Sequence, residues 1–247
     1  MSRASTRPGK DFWLAALRHD SSLLTAVVGP DNLSTTVNGR PQTVGGVLGA
    51  LGAEYRWVRE HITRGVTSRP ERALPEPPDG VAVLPWWRGA YQQLMETLDG
   101  IDPDLPAWNW APQPKRAAFW HRRMAHLTAL DRWDVQFALG TGEPLEAKAA
   151  SDGITELFDT ILPATLHEYE ALGVLRLIAT DTGYEWLVRL RPHGMALLDS
   201  GGPLRRPGIH AVAAATASDL LLVLTGRIGL HVVDHVGDER LVAQLAP

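Results

Sequence analysis

The stretch of this chain with the greatest capacity for chemistry is Phe119–Asp134, FWHRRMAHLTALDRWD, whose spacing predicts an amphipathic helix. Its ionisable side chains are His121, Arg122, Arg123, His126, Asp131, Arg132 and Asp134. Carboxylates and imidazoles can transfer protons, and guanidinium groups bind carboxylates in a bidentate manner. Asp131 and Asp134 are three residues apart and can face the same cavity, whereas His126 and Asp131 are five apart and point to different sides.

The elements that must position this helix are other helices in the first two thirds of the chain. Helical spacing of apolar residues predicts helices over Asp11–Val28, Thr43–Ile62, Trp86–Leu98 and Lys115–Leu139, and Ser151 is a predicted N-cap for a helix over Asp152–Leu166. The Pro-rich segment Arg69–Pro85 and the segment Gly100–Pro114 are predicted to be long irregular crossings. Helices joined in this way form a bundle whose interior can contain a site.

From about Gly173 the pattern changes to short apolar or alternating runs separated by turn signals. Strands are predicted at Val174–Ala179, Glu185–Leu190, Met195–Leu198, His210–Ala215 and Leu230–Val236, with helices at Ser218–Arg227 and Glu239–Leu245. The fold class is therefore α+β, with a helical bundle over residues 1–168 and a small α+β domain over residues 169–247.

Composition narrows the possible functions. The net charge of −4 and the pI near 6.1 give no basic surface for nucleic acid. No apolar run is long enough to span a membrane and the N-terminus has no signal-peptide pattern, so we expect a cytoplasmic protein, either a monomer or a homodimer. The absence of cysteine excludes disulfides, thiolate ligands and a cysteine nucleophile.

Several segments together resemble one known family. They are TVGGVLGALGAEYRWV (Thr43–Val58), FWHRRMAHLTALDRWDVQFALG (Phe119–Gly140), AASDGITELFDTILP (Ala149–Pro163), EWLVRL (Glu185–Leu190) and ASDLLLVLTGRI (Ala217–Ile228). They resemble the mycothiol-dependent maleylpyruvate isomerase family of DinB-like metalloproteins. The resemblance implies a DinB-like bundle followed by a small domain similar to sterol-carrier folds. It also implies a divalent metal held by two His and one Glu, with mycothiol as cofactor or co-substrate.

The metal-ligand positions of that family are altered in this chain. The first, a His of the second helix, corresponds to Ala50, and the others correspond to Leu127 and Asp131. Alanine and leucine have no lone pair for a cation, and one carboxylate cannot replace the three protein ligands of a catalytic metal. Pro41-Gln42 also replaces the Gly-Trp that usually precedes the second helix. We therefore expect no metal and no cofactor; mycothiol and a divalent metal would be needed only if the family role is retained.

A rebuilt metal site is the alternative. Asp131 and Asp134 could form an oxygen-rich site together with Glu54, Glu60 or His61 of the second helix. Nothing in the spacing requires it.

The candidate catalytic residues are Asp131, His126 and Arg123. A carboxyl group inside an apolar bundle has a raised pKa and suits general acid or base work. The structural alternative for Asp131 is an ion pair with Arg123, Arg132 or an arginine from another helix. The alternative for His126 is a partly buried ring bonded to the backbone.

The candidate substrate-binding residues are Arg227, Trp120, Leu127, Ala50 and Tyr55. Arg227 corresponds to an arginine that the resemblance places near the cleft between the domains, although an arginine there can also complement a helix dipole. The tryptophans clustered between Trp86 and Trp120 either fill a helical core or form an aromatic wall around a ligand cavity.

Three functions remain open. The first is a metal-independent enzyme, isomerase- or transferase-like, that rearranges a small organic molecule at the former metal site. The second is a non-catalytic small-molecule-binding protein with an apolar pocket. The third is a mycothiol-dependent isomerase or transferase with a relocated metal site. The resemblance favours a small-molecule role and an enzyme, by analogy of fold.

Overall fold

The structure is a computed structural model that describes residues 8–164, 168–198 and 208–244. It divides into a helical unit that ends at Glu143 and an α+β unit that begins at Pro144. No described helix combines the length and hydropathy needed to cross a membrane.

The helical unit is built from α1 (Lys10–Val27), α2 (Val44–Ile62), α3 (Val83–Gly100) and α4 (Ala118–Ala138). α1 packs along α4, α2 packs along α3, and α2 also contacts α4. Their apolar stripes meet in a core in which Leu17, Leu48 and Leu94 are fully buried. The predicted helices are all present, with α3 starting before Trp86 and α4 after Lys115.

Local sequence explains how α2 is placed. Thr43 is the N-cap, because its hydroxyl accepts a hydrogen bond from the Gly46 N–H at 3.2 Å. Gly52 allows the helix to approach α3, since a Cβ atom at this position would lie 2.5 Å from the Trp86 ring. α2 is therefore held at its start by a cap and at its middle by a close crossing.

The α+β unit contains a mixed sheet with the strand order β3-β2-β1-β4-β5 in its described residues. The elements are α5 (Ala147–Glu156), β1 (Gly173–Ala179), β2 (Glu185–Leu190), β3 (Met195–Leu198), β4 (Ala211–Ala215), α6 (Ala217–Leu224), β5 (Asp234–Gly237) and α7 (Glu239–Ala243). β1 is the centre, antiparallel to β2 and parallel to β4. The sheet and the helical unit confirm the predicted α+β fold class.

The predicted N-cap of the fifth helix is corrected. Ser151 is not an N-cap: Glu146 caps α5 by accepting hydrogen bonds from the N–H groups of Lys148 and Ala149, and the Ser151 hydroxyl donates to the Ala147 carbonyl. The helix then continues as a π-helical turn and a short 3₁₀ turn to Ala164, and the predicted end at Leu166 lies outside the described residues.

The last predicted strand is also different. Leu230–Val232 forms a 3₁₀ turn, and only Asp234–Gly237 pairs, antiparallel to β4. The predicted end of the final helix at Leu245 lies outside the described residues.

The division between the units lies earlier than the expected boundary at residues 168 and 169. The structure divides between Glu143 and Pro144, because α5 packs against α6 of the second unit. Helical content alone therefore does not assign α5 to the bundle.

Candidate ligand-binding pocket

A cavity of about 560 Å³ lies within the helical unit. α2 contributes Val47, Ala50, Leu51, Glu54 and Trp57 to its lining, and α4 contributes Arg123, Leu127 and Asp131. The residues from α4 are four apart, so they form one stripe of the helix. The volume is in the range of small-molecule sites, about 300–1,000 Å³.

The positions that the resemblance assigns to the family's metal ligands converge on this cavity. Ala50, Leu127 and Asp131 all line it, although Ala50 is 77 residues away from Leu127 in the sequence (127 − 50). Two of these side chains are hydrocarbon and offer no donor atom. The residues present do not fit a divalent metal at this place.

Asp131 is bound by an arginine instead. Arg40 Nη1 donates to Asp131 Oδ1 at 2.9 Å, and Arg40 Nη2 donates to Asp134 Oδ2 at 2.5 Å. The carboxylate side chains are 7% and 4% exposed, whereas that of Arg40 is 27% exposed. An ion pair of the kind expected for Asp131 thus exists, with an arginine from the loop before α2.

The loop that carries Arg40 is closed by backbone pairing. Thr36 and Thr43 form an antiparallel bridge, and the Val37 N–H donates to the Gln42 carbonyl at 3.0 Å. Gly39, which precedes Arg40, has a φ of 72°, the left-handed conformation that glycine adopts readily. The turn therefore directs Arg40 from a fixed backbone position.

The other proposed members of a rebuilt metal site are used elsewhere. Glu54 accepts hydrogen bonds from Arg72 at 2.8 and 3.5 Å, and Glu60 is paired with Arg64 on the surface. His61 is buried, with Nδ1 at 3.0 Å from the Trp57 carbonyl. Within residues 8–164, 168–198 and 208–244, no cluster of three or more His, Asp or Glu side chains is arranged to hold a metal ion.

Aromatic rings form another side of the cavity. Trp57, Trp108 and Trp110 line it, with the rings of Trp57 and Trp108 6.2 Å apart in an edge-to-face arrangement. The Arg72 guanidinium lies 4.8 Å from the centre of the Trp57 ring. Arg72 is therefore anchored by both Glu54 and Trp57 at this side of the pocket.

His61 lies behind this aromatic wall. Its ring centroid is 4.2 Å from that of Trp57 and 4.7 Å from that of Trp120. Burial lowers the pKa of His61 from its ordinary value, against the opposing effect of backbone hydrogen bonds. The ring is therefore held neutral and serves as packing.

Several predicted site residues do not line the cavity. His126 is 3% exposed and packs edge-to-face on Trp13 of α1, with ring centroids 5.0 Å apart. Tyr55 is fully buried with its hydroxyl 2.5 Å from the Thr128 hydroxyl, and burial raises its pKa. Trp120 is also buried and donates its indole N–H to the Trp108 carbonyl at 2.7 Å. Trp120 supports the aromatic wall from behind.

Arg227 belongs to the α+β unit. It follows α6, where its backbone N–H donates to the Leu222 carbonyl at 2.8 Å and its Nη1 lies 3.4 Å from the Thr225 carbonyl. The contacts to these carbonyls agree with the alternative that Arg227 complements the end of a helix. Its substrate-binding role stays a prediction.

Sequence reasoning missed Arg40 and Arg72. Both lie in loops, so no helical periodicity marks them. The available signal for Arg40 was its position immediately before Pro41-Gln42, the segment that departs from the family pattern.

Comparisons with known proteins agree with this geometry. A family model described as the mycothiol maleylpyruvate isomerase N-terminal domain matches residues 14–136, which contain α2, most of α4 and all the cavity-lining residues. The chain belongs to the mycothiol maleylpyruvate isomerase family. No curated protein matches the chain.

Solved structures share the fold of this family member. A crystal structure of a mycothiol-dependent maleylpyruvate isomerase aligns with a TM-score of 0.59 and 10% identity, covering 96% of this chain and 97% of that one. A histidine-to-alanine mutant of a mycothiol-dependent maleylpyruvate isomerase aligns with a TM-score of 0.61 and 11% identity over the same shares. At this identity the similarity establishes the fold.

Proposed function

We propose that this family member binds and rearranges a small organic molecule in the pocket at Ala50, Leu127 and Asp131, as a metal-independent enzyme of isomerase or transferase type. The observation that carries the proposal is the convergence of these positions on one cavity of about 560 Å³ that contains charged groups and an aromatic wall. A partly apolar cavity with a few polar groups is the usual form of a small-molecule site.

Asp131 and Arg123 are the proposed reactive and binding groups, because they share one stripe of α4 and both line the cavity. Asp131 accepts a hydrogen bond from Arg40 and lines the cavity, so a carboxylate oxygen is placed to accept a proton from the ligand. Arg123 is suited to bind an anionic group of the ligand. His126 faces α1 and has no part in this proposal.

Ala50 and Leu127 shape the pocket. Their hydrocarbon side chains favour an apolar part of the ligand beside the carboxylate, and Trp57, Trp108 and Trp110 favour a flat group. The proposed ligand therefore has one polar end and one apolar body.

A binding protein without turnover is the second candidate. It is supported by two ion pairs in the pocket, Arg40 with Asp131 and Arg72 with Glu54. Side chains that are held in such pairs can bind a ligand without reacting with it. The third candidate, a mycothiol-dependent enzyme with a relocated metal, would require both bound metal and thiol dependence.

The test uses a matched pair of variants. Asp131→Asn and Asp134→Asn each remove a charge that Arg40 binds, but of the two residues only Asp131 lines the cavity. Ligands that co-purify or raise the melting temperature are identified by native mass spectrometry and thermal shift, and their conversion is followed by liquid chromatography.

The enzyme proposal predicts conversion that D131N abolishes and D134N largely retains. Binding without conversion in the unmodified protein would favour the second candidate. Conversion that D131N leaves unchanged would contradict the role assigned to Asp131.

A further inference from the structure

We propose that the Arg40 guanidinium is the resident cation of the pocket, meaning that it permanently fills the position between Asp131 and Asp134 where a divalent cation would otherwise bind. The inference rests on the proposed function only in treating this cavity as the site. It gives a physical reason for the metal independence proposed above.

The first support is the pattern of contacts. Arg40 places one terminal nitrogen on Asp131 and the other on Asp134, at charge-assisted hydrogen-bond distances. These carboxylates are one turn apart on α4 and nearly buried. One oxygen atom of each carboxylate is therefore already bound by a positive group.

The second support is that the cation is part of the chain. The paired loop from Thr36 to Thr43 holds Arg40 beside α4, so its local concentration is fixed and no chelator can remove it. A divalent ion would have to displace this guanidinium from both carboxylates. Ala50 and Leu127, on the same cavity, offer no further ligand in return.

A resident guanidinium also remains available to a ligand. The group has five N–H donors, and its contacts with Asp131 and Asp134 use one on each terminal nitrogen. Arg40 lines the cavity and is partly exposed, so it can donate to an oxygen atom of the ligand. In this respect it supplies the positive charge that a metal would supply to a bound oxyanion.

The test is to remove the guanidinium and offer a metal in its place. Arg40→Ala frees space beside Asp131 and Asp134, and Mn²⁺ accepts carboxylate and water ligands. We expect R40A to bind one Mn²⁺, seen by electron paramagnetic resonance, and millimolar MnCl₂ to raise its melting temperature by about 2–4 °C. R40A/D131N should lose this response.

The unmodified protein and Arg40→Lys, which keeps a positive charge, should show neither effect. Arg40→Gln replaces R40A if the alanine variant does not fold, with the same expectation. Stoichiometric Mn²⁺ binding by the unmodified protein, or a folded R40A or R40Q without Mn²⁺ binding, would overturn the proposal. None of these measurements depends on a ligand or on turnover, so a failure of the proposed function would leave their outcome unchanged.

Discussion

Helix α4 takes part in two guanidinium–carboxylate groups that differ in their surroundings. On the side of α1, Arg132 Nε donates to Asp20 Oδ1 at 3.0 Å, with the side chains 1% and 6% exposed. On the side of the cavity, Arg40 binds Asp131 and Asp134 with 27% of its own side chain exposed. The chemical groups are the same, but only the second set borders space for a ligand.

The difference separates a packing role from a binding role. Arg132 also donates to Gln136 Oε1 and to the Glu143 carbonyl, each at 2.7 Å, so its guanidinium is bound by protein groups in fixed positions. Burial raises the pKa of Asp20, and Arg132 opposes that effect. A charge enclosed in this way can stabilise helix packing but cannot meet a ligand. The Arg40 group can do both.

The largest expected effect on stability comes from breaking the buried pair of Arg132 and Asp20. Arg132→Leu should lower the free energy of unfolding by about 3–5 kcal/mol, because it leaves the Asp20 charge buried without its guanidinium. Arg40→Leu should cost less, although Asp131 and Asp134 are 7% and 4% exposed, because Asp131 lines the cavity, where water can solvate its carboxylate once the guanidinium is gone. Urea denaturation measures both. Equal losses would remove the distinction between the two groups.

A smaller effect on stability is expected when alanine is replaced by leucine in two different environments. Ala125→Leu adds volume to the closed core, where Ala125 is 2% exposed, and should cost about 1–3 kcal/mol. Ala50→Leu adds the same volume to the cavity, which has room, and should change stability by about 0.5 kcal/mol or less while weakening ligand binding. A stability loss as large for A50L as for A125L would show that Ala50 does not face open space.

The smallest expected effect is on the pH dependence of the unfolding free energy. Burial lowers the pKa of His61, so the folded protein keeps its ring neutral while the unfolded chain takes up a proton near pH 6.5. Its stabilising contribution is present above the unfolded pKa and is lost as pH falls towards the folded pKa, by at most about 1.4 kcal/mol per pH unit.

His61→Phe keeps a ring against Trp57 and Trp120 and should flatten the dependence of unfolding free energy on pH between about 7 and 5. His121, whose pKa is also lowered by burial, should maintain part of the slope. An unchanged slope in H61F would contradict a neutral buried His61.

Much of the fold follows from periodicity and caps. The spacing in Thr43–Ile62 predicts α2 nearly to the residue, because the apolar residues on the buried face of a helix recur with helical spacing in the sequence. The predicted N-cap at Ser151 is wrong because α5 begins earlier, where Glu146 acts as a less common cap. The boundary between the units depended on packing of α5 with α6, which local pattern does not contain.

The site was only partly predictable, for a similar reason. Helical geometry indicates that Leu127 and Asp131 share a face and that His126 does not, and the cavity lining agrees. Arg40 lies 91 residues from Asp131, on a loop without periodicity, so only the folded chain shows their contact. Tyr55 and Trp120 have the composition of pocket residues but are enclosed by packing that depends on the whole bundle.

The most direct test of a metal-independent pocket is the metal content of the protein, measured by inductively coupled plasma mass spectrometry. The protein is purified without chelator and measured again after incubation with zinc or nickel and gel filtration. With Arg40 bound to Asp131, and with Ala50 and Leu127 unable to act as ligands, we expect no stoichiometric metal in either sample. One equivalent of metal that is retained by the unmodified protein and lost in Asp131→Asn would contradict the account.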